Sequence, residues 1–408
     1  MAGHDLVIVG GGIAGSALAA AVAAAGVDVV LLEREIEFRD RVRGEFMHAW
    51  GAAEMLTLGL EQPLLDCGGG WCTQIIGYNE FTSPEAAEAT AVPLDLIVPG
   101  APGAMCVGHP QASEALNTHA GACGASVVRG VRDVEVTAGA QPSVSYELDG
   151  ERHDVSCRMV IGADGRMSTV RRTLGIGLET IESPMVLGGM LVRAERWSSQ
   201  AAFIGVEGER LFLAFPRPHD LVRLYLCREP SELTAGANRA QHMLDAFRLN
   251  CVPNSEALAT ADPIGPCSYF PGSDSWTDGP VVEGAVLVGD AAGWSDPILG
   301  CGLSVAMRDA RSVADVLRGD DWSVGAFEGY VAERATRMRR LLLTGQIVTE
   351  LSCTFTDEGR ERRRTFGERF AEDELVGALR SAAVMGPEHG PDEAFSEATV
   401  ARALAYAD

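Results

Sequence analysis

The 408-residue sequence predicts a mixed α/β fold, in which a three-layer α/β domain is interrupted by an antiparallel sheet and followed by helices. Three observations predict this fold. The N-terminus has the pattern strand, glycine turn, helix and strand. Several strand-like runs follow one another between residues 185 and 227. The last eighty or so residues carry helical patterns only.

The composition excludes several classes of function. Acidic residues outnumber basic ones by 57 to 33, so nucleic acid and anionic membrane surfaces are disfavoured as partners. All basic residues are arginine, so no lysine can act as a Schiff base or general base. No uncharged apolar run is long enough to span a membrane. Ten scattered cysteines without a C-x-x-C pair, together with sparse histidines, disfavour a metal site and indicate a reducing cytoplasm.

The first elements form a βαβ unit. Asp5–Val9 is a short apolar strand that ends at a run of glycines. Ile13–Ala25 is rich in alanine and contains no helix breaker, and Gly26 follows it as a helix terminator. Val27–Leu32 is a second apolar strand. A strand, glycine turn, helix and parallel strand in this order predict a Rossmann-like domain.

The glycine turn carries the first motif. Gly10, Gly12 and Gly15 match G-x-G-x-x-G around Ile13 and Ala14, directly before the predicted helix. The first glycine permits a tight turn, the second admits a pyrophosphate, and the third allows close packing of helix and strand. Glu33 ends the second strand about twenty residues later, where its carboxylate can accept bonds from ribose hydroxyls and would repel a 2′-phosphate.

The later elements alternate between the two predicted domains. We expect helices over Gly44–Leu58, Ser113–Cys123, Ala240–Asn250 and Leu303–Leu317. We expect strands over Ala125–Val136, Val144–Leu148, Met159–Ala163, Leu187–Val192, Ala201–Val206, Leu211–Phe215, Leu221–Leu226 and Gly284–Val288. Two long helices, Ala326–Cys353 and Asp357–Val384, end the chain, with a break near Thr354–Thr356. Two of the buried strands stop at acidic turns, Asp164-Gly165 and Gly289-Asp290.

The glycine motif, the Asp-Gly turn and the Gly-Asp turn, in this order, resemble the class A flavoprotein monooxygenases, the p-hydroxybenzoate hydroxylase-like family. The resemblance covers roughly residues 5–340. It implies non-covalent FAD, transient docking of NAD(P)H as reductant, and O₂ as co-substrate. The implied activity is hydroxylation or epoxidation of a hydrophobic, aromatic or polyketide-like small molecule through a flavin C4a-hydroperoxide.

The resemblance also implies which residues contact FAD. Asp290 would bond the ribityl chain, Asp164 would lie near the pyrophosphate, and the Gly300–Leu303 backbone would face the pyrimidine edge of the flavin. A helix N-terminus there would favour the negative charge of reduced flavin. Arg43 would pair with the pyrophosphate, and His109 stands where the family has arginine or glutamine. The full implied set is Gly10, Gly12, Ile13, Ala14, Gly15, Glu33, Arg34, Arg43, His109, Val131, Asp164, Asp290, Pro297, Gly300, Gly302 and Leu303.

Catalytic residues are less constrained. Glu45 and His48 lie three positions apart in the predicted helix, so both would share one face and either could carry a proton; a packing role is the alternative. The strands between residues 185 and 227 are expected to form the floor of a mostly apolar substrate pocket with few charges.

The predicted domain division follows these assignments. Residues 1–77, 100–180 and 272–340 form the FAD-binding domain, residues 78–99 and 181–271 the substrate sheet, and residues 341–408 a helical segment. An FAD-dependent reductase of the geranylgeranyl-reductase type stays open as an alternative. A non-catalytic FAD-fold protein is disfavoured because all three motifs are kept, and a halogenase is disfavoured because the chain has no lysine.

Overall fold

A computed structural model describes residues 2–42, 44–197, 199–232 and 238–405. It contains strands and helices throughout. The strands, in chain order, are β1 Ala2–Gly3, β2 Leu6–Val9, β3 Val29–Glu33, β4 Phe46–Met47, β5 Gly70–Cys72, β6 Gln74–Asn79, β7 Val92–Pro93, β8 Ala104–Cys106, β9 Ser126–Arg129, β10 Arg132–Thr137, β11 Ser143–Leu148, β12 Glu151–Ser156, β13 Met159–Gly162, β14 Glu179–Arg193, β15 Ala202–Glu207, β16 Arg210–Arg217, β17 Leu221–Arg228, β18 Asp262–Pro263, β19 Ser268–Trp276, β20 Val281–Val282, β21 Ala285–Leu287 and β22 Gly293–Trp294.

The helices, in chain order, are α1 Ile13–Ala23, α2 Ala49–Thr57, α3 Glu61–Asp66, α4 Pro84–Ala89, α5 His109–Ala122, α6 Thr169–Thr173, α7 Arg239–Asp245, α8 Glu256–Ala259, α9 Gly302–Leu317, α10 Glu328–Cys353, α11 Asp357–Glu372, α12 Glu374–Met385 and α13 Glu397–Leu404. Short 3₁₀ turns occupy Leu94–Leu96, Pro230–Glu232, Gly289–Ala292, Pro297–Leu299, Val324–Phe327 and Asp392–Phe395.

The predicted three-layer domain is confirmed. A central sheet has the strand order β20-β21-β13-β2-β3-β9 and is parallel except at its β20 edge. One face packs against α1, α2, α5 and α9. The other face packs against a small sheet of order β1-β12-β11-β10. Because both faces are covered, the strands are apolar on both sides, and β2 is fully buried along its length.

A second, larger sheet is mainly antiparallel and, within the described residues, contains nine strands. Its order is β22-β19-β14-β17-β16-β15-β6-β7, and β18 joins β14 at one side. Leu211, Leu213 and Phe215 of β16 face the central domain, whereas Phe212 and Ala214 face α7 and α8. This period of two gives the sheet one apolar face, which packs toward α2, α10 and residues 298–301.

Several element boundaries differ from the sequence prediction. The helix expected over Gly44–Leu58 is wrong at its start: Gly44 has φ +64°, and Phe46 pairs with Cys106 in β8, so the helix begins only at Ala49. The last expected helix, Asp357–Val384, is divided by Asp373, whose carboxylate accepts the Leu375 amide at 3.0 Å and caps α12. The helix expected over Ala240–Asn250 ends at Asp245. Among the strands of six or more residues, β6, β12 and β19 were not predicted, and most of the shorter strands were missed as well.

Candidate active site

The three motifs converge at the carboxyl ends of β2, β13 and β21. Gly10 has φ +110°, and a Cβ there would lie 2.7 Å from the Asp164 amide nitrogen. A Cβ at Gly289 would lie 3.1 Å from the Ala14 Cβ, so the Gly-Asp turn packs against the start of α1. Arg166 Nε lies 3.3 Å from Asp290 Oδ2 and joins the two acidic turns. Segments more than 120 residues apart therefore form one site, at the edge where dinucleotides bind in such sheets.

The glycine turn is held by polar side chains that the sequence did not reveal. Asn117 Nδ2, on α5, donates to the Gly11 carbonyl at 2.6 Å and to Ser16 Oγ at 2.8 Å. Ser16 Oγ in turn donates to the Gly11 carbonyl at 2.9 Å. Asn117 and Ser16 are buried. Neither residue belongs to a recognisable pattern, and the contact spans about a hundred residues of sequence, so only the fold brings them together.

Glu33 lies beside the same turn. Its Oε2 accepts the Gly11 amide and its Oε1 accepts the Glu35 amide, both at 2.6 Å. The Val131 amide donates to the Glu33 carbonyl at 3.2 Å, which places Val131 at this edge as well. Arg34 points outward and pairs with Glu35 at 3.0 Å. Each carboxylate oxygen of Glu33 keeps a second lone pair, so ribose hydroxyls can still be accepted there.

The carboxylate of Asp164 accepts hydrogen bonds from the residues at the start of α6. Its Oδ2 accepts the Thr169 amide at 2.6 Å and the Val170 amide at 3.2 Å, and its Oδ1 accepts the Ser168 hydroxyl. Arg171, buried behind this turn, donates to the Ala291 carbonyl at 2.9 Å and ties the Asp-Gly turn to the Gly-Asp turn. Asp164 therefore fixes the turn, and the predicted proximity to a pyrophosphate stays a prediction.

Asp290 is partly exposed, and among the described residues it pairs only with Arg166. The Arg166 guanidinium also lies 5.0 Å from the centroid of the Trp294 ring. A buried ion cluster supports its turn from behind. Asp309 Oδ2 accepts the Gly289 amide at 2.8 Å and Arg334 Nε at 3.1 Å. Although burial raises it, the Arg334 and Arg337 guanidiniums hold the pKa of Asp309 below its usual value. The cluster joins α9 and α10 to the acidic turn.

The residues from Pro297 to Gly302, here called the Pro297 loop, lead into α9. Gly300 is left-handed, with φ +65°, whereas Gly302 is not. A Cβ at Gly302 would meet nothing within 4 Å. The position before it, Cys301, gives no side-chain cap, so the first amides of α9 are left without a capping side chain. The helix thus presents amides and the positive end of its dipole to open space.

Two further predicted contacts, His109 and Leu303, lie near this loop. A Cβ at Gly44 would lie 3.1 Å from His109 Cδ2 and 3.3 Å from Leu303 Cδ2. His109 is the first residue of α5 and Leu303 lies in the first turn of α9. Arg43 lies outside the described residues. The structure therefore brings His109 and Leu303 together beside Gly44, at the end of the Pro297 loop.

His48 is fully enclosed under the Pro297 loop. Its Nε2 donates to the Leu299 carbonyl at 2.9 Å, and its backbone amide donates to Ser304 Oγ at 3.0 Å. Burial lowers the pKa of His48 to about 4, so the imidazole is neutral near pH 7. Its Nδ1 has no hydrogen-bond partner among the residues that the structure describes. The side chain is suited to holding the loop, and it does not titrate where a physiological proton carrier must.

Glu45 does not share a helical face with His48, because it precedes β4 and α2; that expectation is wrong. Its carboxylate is buried and pairs with Arg217 at 3.1 Å and Arg223 at 2.9 Å. Burial raises the pKa of Glu45, although both guanidiniums lower it. Arg223 also pairs with Asp40 at 2.7 Å. We expected few charges on the sheet face that lines the substrate pocket. The structure places two buried guanidiniums there, because Arg217 belongs to β16 and Arg223 to β17.

The remainder of the sheet face toward the Pro297 loop is apolar. Phe46 stacks on Phe215 with ring centroids 4.7 Å apart, and Phe215 meets Tyr225 edge-on at 5.9 Å. The same cluster contains Leu299 and Cys301 of the Pro297 loop. An apolar wall with a few polar groups at its edge is typical of a small-molecule site.

The described part of the chain contains neither a metal-ligand cluster nor a membrane-spanning helix. No group of three or more His, Cys, Asp or Glu residues there is arranged to hold a metal ion. None of the helices within those residues combines the length and apolarity needed to cross a bilayer.

Comparisons with known proteins agree with this geometry. The FAD binding domain family matches residues 4–343. The chain is 27% identical over 343 residues to rifampicin monooxygenase of Streptomyces venezuelae, covering 81% of this chain and 68% of that protein. It is 26% identical over 329 residues to squalene monooxygenase SE1 of Panax ginseng, covering 77% and 58% respectively. The chain thus matches 68% of the length of the first relative and 58% of the length of the second.

The fold is shared with solved structures. The structure of p-nitrophenol 4-monooxygenase from Pseudomonas putida superposes with a TM-score of 0.78 at 17% identity, covering 94% of this chain and 98% of that one.

A reductase is also similar in sequence: digeranylgeranylglycerophospholipid reductase 2 of Methanopyrus kandleri is 26% identical over 349 residues, covering 80% of this chain and 81% of that protein.

Proposed function

The chain belongs to the FAD binding domain family, among the FAD-dependent monooxygenases, and on this premise we propose that it uses NAD(P)H and O₂ to hydroxylate or epoxidise a hydrophobic, aromatic or polyketide-like small molecule. The observation that carries the proposal is the convergence of the three motifs beside a loop that opens onto an apolar sheet face.

The residues present fit an extended FAD. A Cβ at Gly12, Gly165 or Gly302 would meet no atom of the described residues within 4 Å, so room exists at the glycine turn, at the Asp-Gly turn and at the start of α9. We propose that Gly10–Gly15 and the N-terminus of α1 hold the pyrophosphate, that Glu33 accepts the adenosine ribose, and that Asp290 accepts the ribityl hydroxyls. His109, Leu303 and the Pro297 loop would enclose the ring.

When bound, FAD supplies two-electron transfer from NAD(P)H and activation of O₂ for insertion of one oxygen atom. The protein's contribution lies in charge and position. The amides at the start of α9 would stabilise negative charge on the pyrimidine edge, worth about 0.3–2 kcal/mol in a partly buried helix terminus. His48 would hold the Pro297 loop through the Leu299 carbonyl. The apolar face of β16 and β17 would exclude water and orient the substrate.

The sequence has no second G-x-G-x-x-G, so we propose that NAD(P)H docks transiently and has no separate domain. We retain the division into an FAD-binding domain, a substrate sheet and a helical segment, with α10 continuous across the proposed limit at residues 340 and 341. The described cysteines are free thiols, which fits a cytoplasmic protein.

The proposal is tested on purified protein with ¹⁸O₂. We expect FAD that is released by heat or acid, NAD(P)H oxidation stimulated by hydrophobic phenols, naphthols or alkenes, and a product that carries one ¹⁸O atom. Flavin identity, O₂ uptake and product mass are measured on the same preparation.

Two results would contradict the proposal. Protein that binds no flavin, or only FMN, would overturn the FAD assignment. Bound FAD with anaerobic, NAD(P)H-dependent saturation of an isoprenoid double bond, and no ¹⁸O in any product, would replace the monooxygenase by a reductase.

A further inference from the structure

Asp274, near the end of β19, keeps one carboxylate oxygen free. Its Oδ1 accepts the amide of Asp296, the residue directly before the Pro297 loop, at 2.8 Å. No donor among the described residues reaches its Oδ2. Protein atoms do not seal this oxygen either, since Asp274 is half-buried and its Oδ2 keeps accessible surface. The side chain therefore presents a free acceptor next to the Pro297 loop.

Two observations place this oxygen beside the apolar region of the candidate site. A Cβ on Gly345 of α10 would lie 3.7 Å from Asp274 Oδ2 and 3.6 Å from Leu299 Cδ1, so the carboxylate, the loop and the helix meet at one point. Burial, and then the charge of Asp274, raise the pKa of the Cys301 thiol, which shows the same proximity. Leu299 and Cys301 belong to the apolar cluster that also contains Phe215 of the sheet face.

Gly345 leaves space in front of the free oxygen. It is a buried residue in the interior of α10. Glycine destabilises a helix interior relative to alanine, and a Cβ at this position would make only ordinary contacts, at 3.6 Å or more. The packing of the described residues therefore does not require a glycine there. Its effect is to keep the space between Asp274 Oδ2 and Leu299 open.

A cavity of about 380 Å³ between β19 and α10 leads to this space. Its lining includes Trp276 of β19 and Met338 and Leu342 of α10. Asp274 and Trp276 are two positions apart, so they lie on one side of the strand. Met338, Leu342 and Gly345 are separated by four and three positions, so they share one face of the helix. We call the path along these two faces, from Trp276 to Asp274, the Trp276 groove.

The charges around Asp274 suit a proton acceptor. Burial raises the pKa of Asp274 to about 7; the Asp296 carboxylate adds to this rise, while the Asp296 amide and the Arg166 guanidinium oppose it. The Pro297 loop adds the neutral Cys301 thiol, and α10 adds only Gly345, which carries no charge. A general base is most effective when its pKa lies near the working pH.

We propose that Asp274 is a general base that removes the proton of a hydroxyl group on the substrate, so the substrate class is a hydroxylated aromatic molecule. In this step the substrate O–H bond breaks, its electron pair stays on the substrate oxygen, and the proton forms a bond to Asp274 Oδ2. The proton then passes to water in the Trp276 groove. The phenolate ring is more nucleophilic than the neutral phenol, which favours oxygen insertion. This proposal rests on the proposed function, because it assigns a base within that site.

The first test compares a phenol with its methyl ether, without turnover. Holoenzyme is dialysed to equilibrium against 2-naphthol and against 2-methoxynaphthalene, in the absence of NAD(P)H. At pH 8 the ionised Asp274 accepts a charge-assisted hydrogen bond, so the wild type should prefer the naphthol by about tenfold or more. At pH 5.5 the protonated group should leave a preference of about threefold or less. Asp274→Asn should show the smaller preference at both pH values, and Asp274→Glu should recover part of the larger one.

The second test follows the proton during turnover. The rate of ¹⁸O insertion into 2-naphthol should rise with an apparent pKa near 7 in the wild type. Asp274→Asn should lose this rise and be slower by about a hundredfold or more at pH 8. The variant should fold and carry full FAD, because its amide oxygen can still accept the Asp296 amide. Asp262→Asn, which removes the same charge from an exposed position in β18, should match the wild type in both tests.

A variant of Gly345 tests the position without removing the carboxylate. Gly345→Ala places a methyl group 3.7 Å from Asp274 Oδ2 and should weaken binding of 2-naphthol by about fivefold or more. Gly329→Ala, at an exposed position of the same helix, should bind 2-naphthol like the wild type. Both variants should melt at or above the wild-type temperature, because alanine favours the helix.

The assignment of Asp274 would be overturned by any of three results: no binding or no oxygenation of 2-naphthol by the wild type, a preference for the naphthol that does not change with pH, or an Asp274→Asn variant that keeps the wild-type profile. Each can occur in protein that carries FAD and inserts ¹⁸O into 2-methoxynaphthalene or an alkene. Failure of this proposal is therefore distinguishable from failure of the proposed function, in which no substrate gains ¹⁸O.

Discussion

At the scale of single residues, His48 shows how burial decides a role. Burial brings its pKa from 6.5 to about 4, so the unfolded chain binds a proton more readily than the folded protein. The contribution of His48 to the free energy of unfolding should therefore be complete above pH 6.5. It should fall by up to about 3 kcal/mol as the pH falls towards 4.

His48→Phe tests this assignment. The variant removes the donor to the Leu299 carbonyl and should lower the free energy of unfolding near pH 7 by about 1–3 kcal/mol. It should also lose the part of the acid destabilisation that comes from His48. Urea unfolding between pH 4.5 and 8 measures both effects. If the wild-type rate profile instead has a limb near pH 6.5 that disappears in His48→Phe, His48 carries a catalytic proton.

Asp290 carries the sharpest prediction for cofactor binding. Asp290→Ala removes a charge-assisted acceptor and leaves Arg166 without its partner, so FAD affinity should fall by about 1.5–3 kcal/mol. Asp262→Ala, an exposed acid in β18, should bind FAD like the wild type. Isothermal titration of the two apoproteins with FAD compares them. Equal affinities would show that Asp290 does not contact the cofactor.

At the scale of elements, the Pro297 loop and α9 form one unit. Gly300 provides the left-handed turn, with φ +65°, while Gly302 has an ordinary backbone conformation and open space above it. A glycine at position 302 can serve either a positive φ or the close approach of a ligand. The structure excludes the first, so the second gives the prediction.

Gly302→Val should fill the open space at the start of α9 and obstruct the ring. We expect lower FAD occupancy or slower reduction by NAD(P)H, with an unchanged fold by circular dichroism. Gly319→Val, just after the other end of α9, is the control and should keep full occupancy. Full FAD content and a wild-type reduction rate in Gly302→Val would mean that the Pro297 loop does not touch the flavin.

Local patterns predicted some elements well and missed others for physical reasons. The βαβ unit was predictable because the glycines, the alanine-rich helix and both apolar strands are adjacent in sequence. The Gly44–Leu58 prediction failed because Phe46 pairs with distant Cys106, a contact that overrides local helix propensity. The strand β19 was missed because Pro271 and Gly272 interrupt its pattern, although β14 on one side holds it in register.

At the scale of the whole molecule, the candidate site depends on contacts that no local pattern contains. The motifs could be found from sequence, but their supports could not. Asp309, Arg334 and Arg337 come from α9 and α10, and they join the Gly-Asp turn only after the chain has folded. Asn117 likewise reaches the glycine turn from α5.

Asp274 lies where the large sheet, the Pro297 loop and α10 meet. Its Oδ1 accepts the Asp296 amide at 2.8 Å, and its Oδ2 would lie 3.7 Å from a Cβ at Gly345 of α10. Burial, with the nearby Asp296 carboxylate, raises the pKa of Asp274 to about 7. The folded protein therefore holds a proton that the unfolded chain releases above about pH 4. The contribution of Asp274 to the free energy of unfolding is therefore complete below pH 4 and is lost as the pH rises towards 7.

Asp274→Asn should reverse this loss, because the amide oxygen can still accept the Asp296 amide and carries no charge. At pH 8 the variant should exceed the wild type in free energy of unfolding by on the order of 2–4 kcal/mol, and the difference should vanish near pH 4. Asp278→Asn, an exposed neighbour, should change neither value. Urea unfolding of the holoenzymes at pH 4, 6 and 8 supplies the comparison. A difference that is constant with pH would show that Asp274 is ionised in the folded protein, and the junction of sheet, loop and helix would then have to stabilise a buried negative charge.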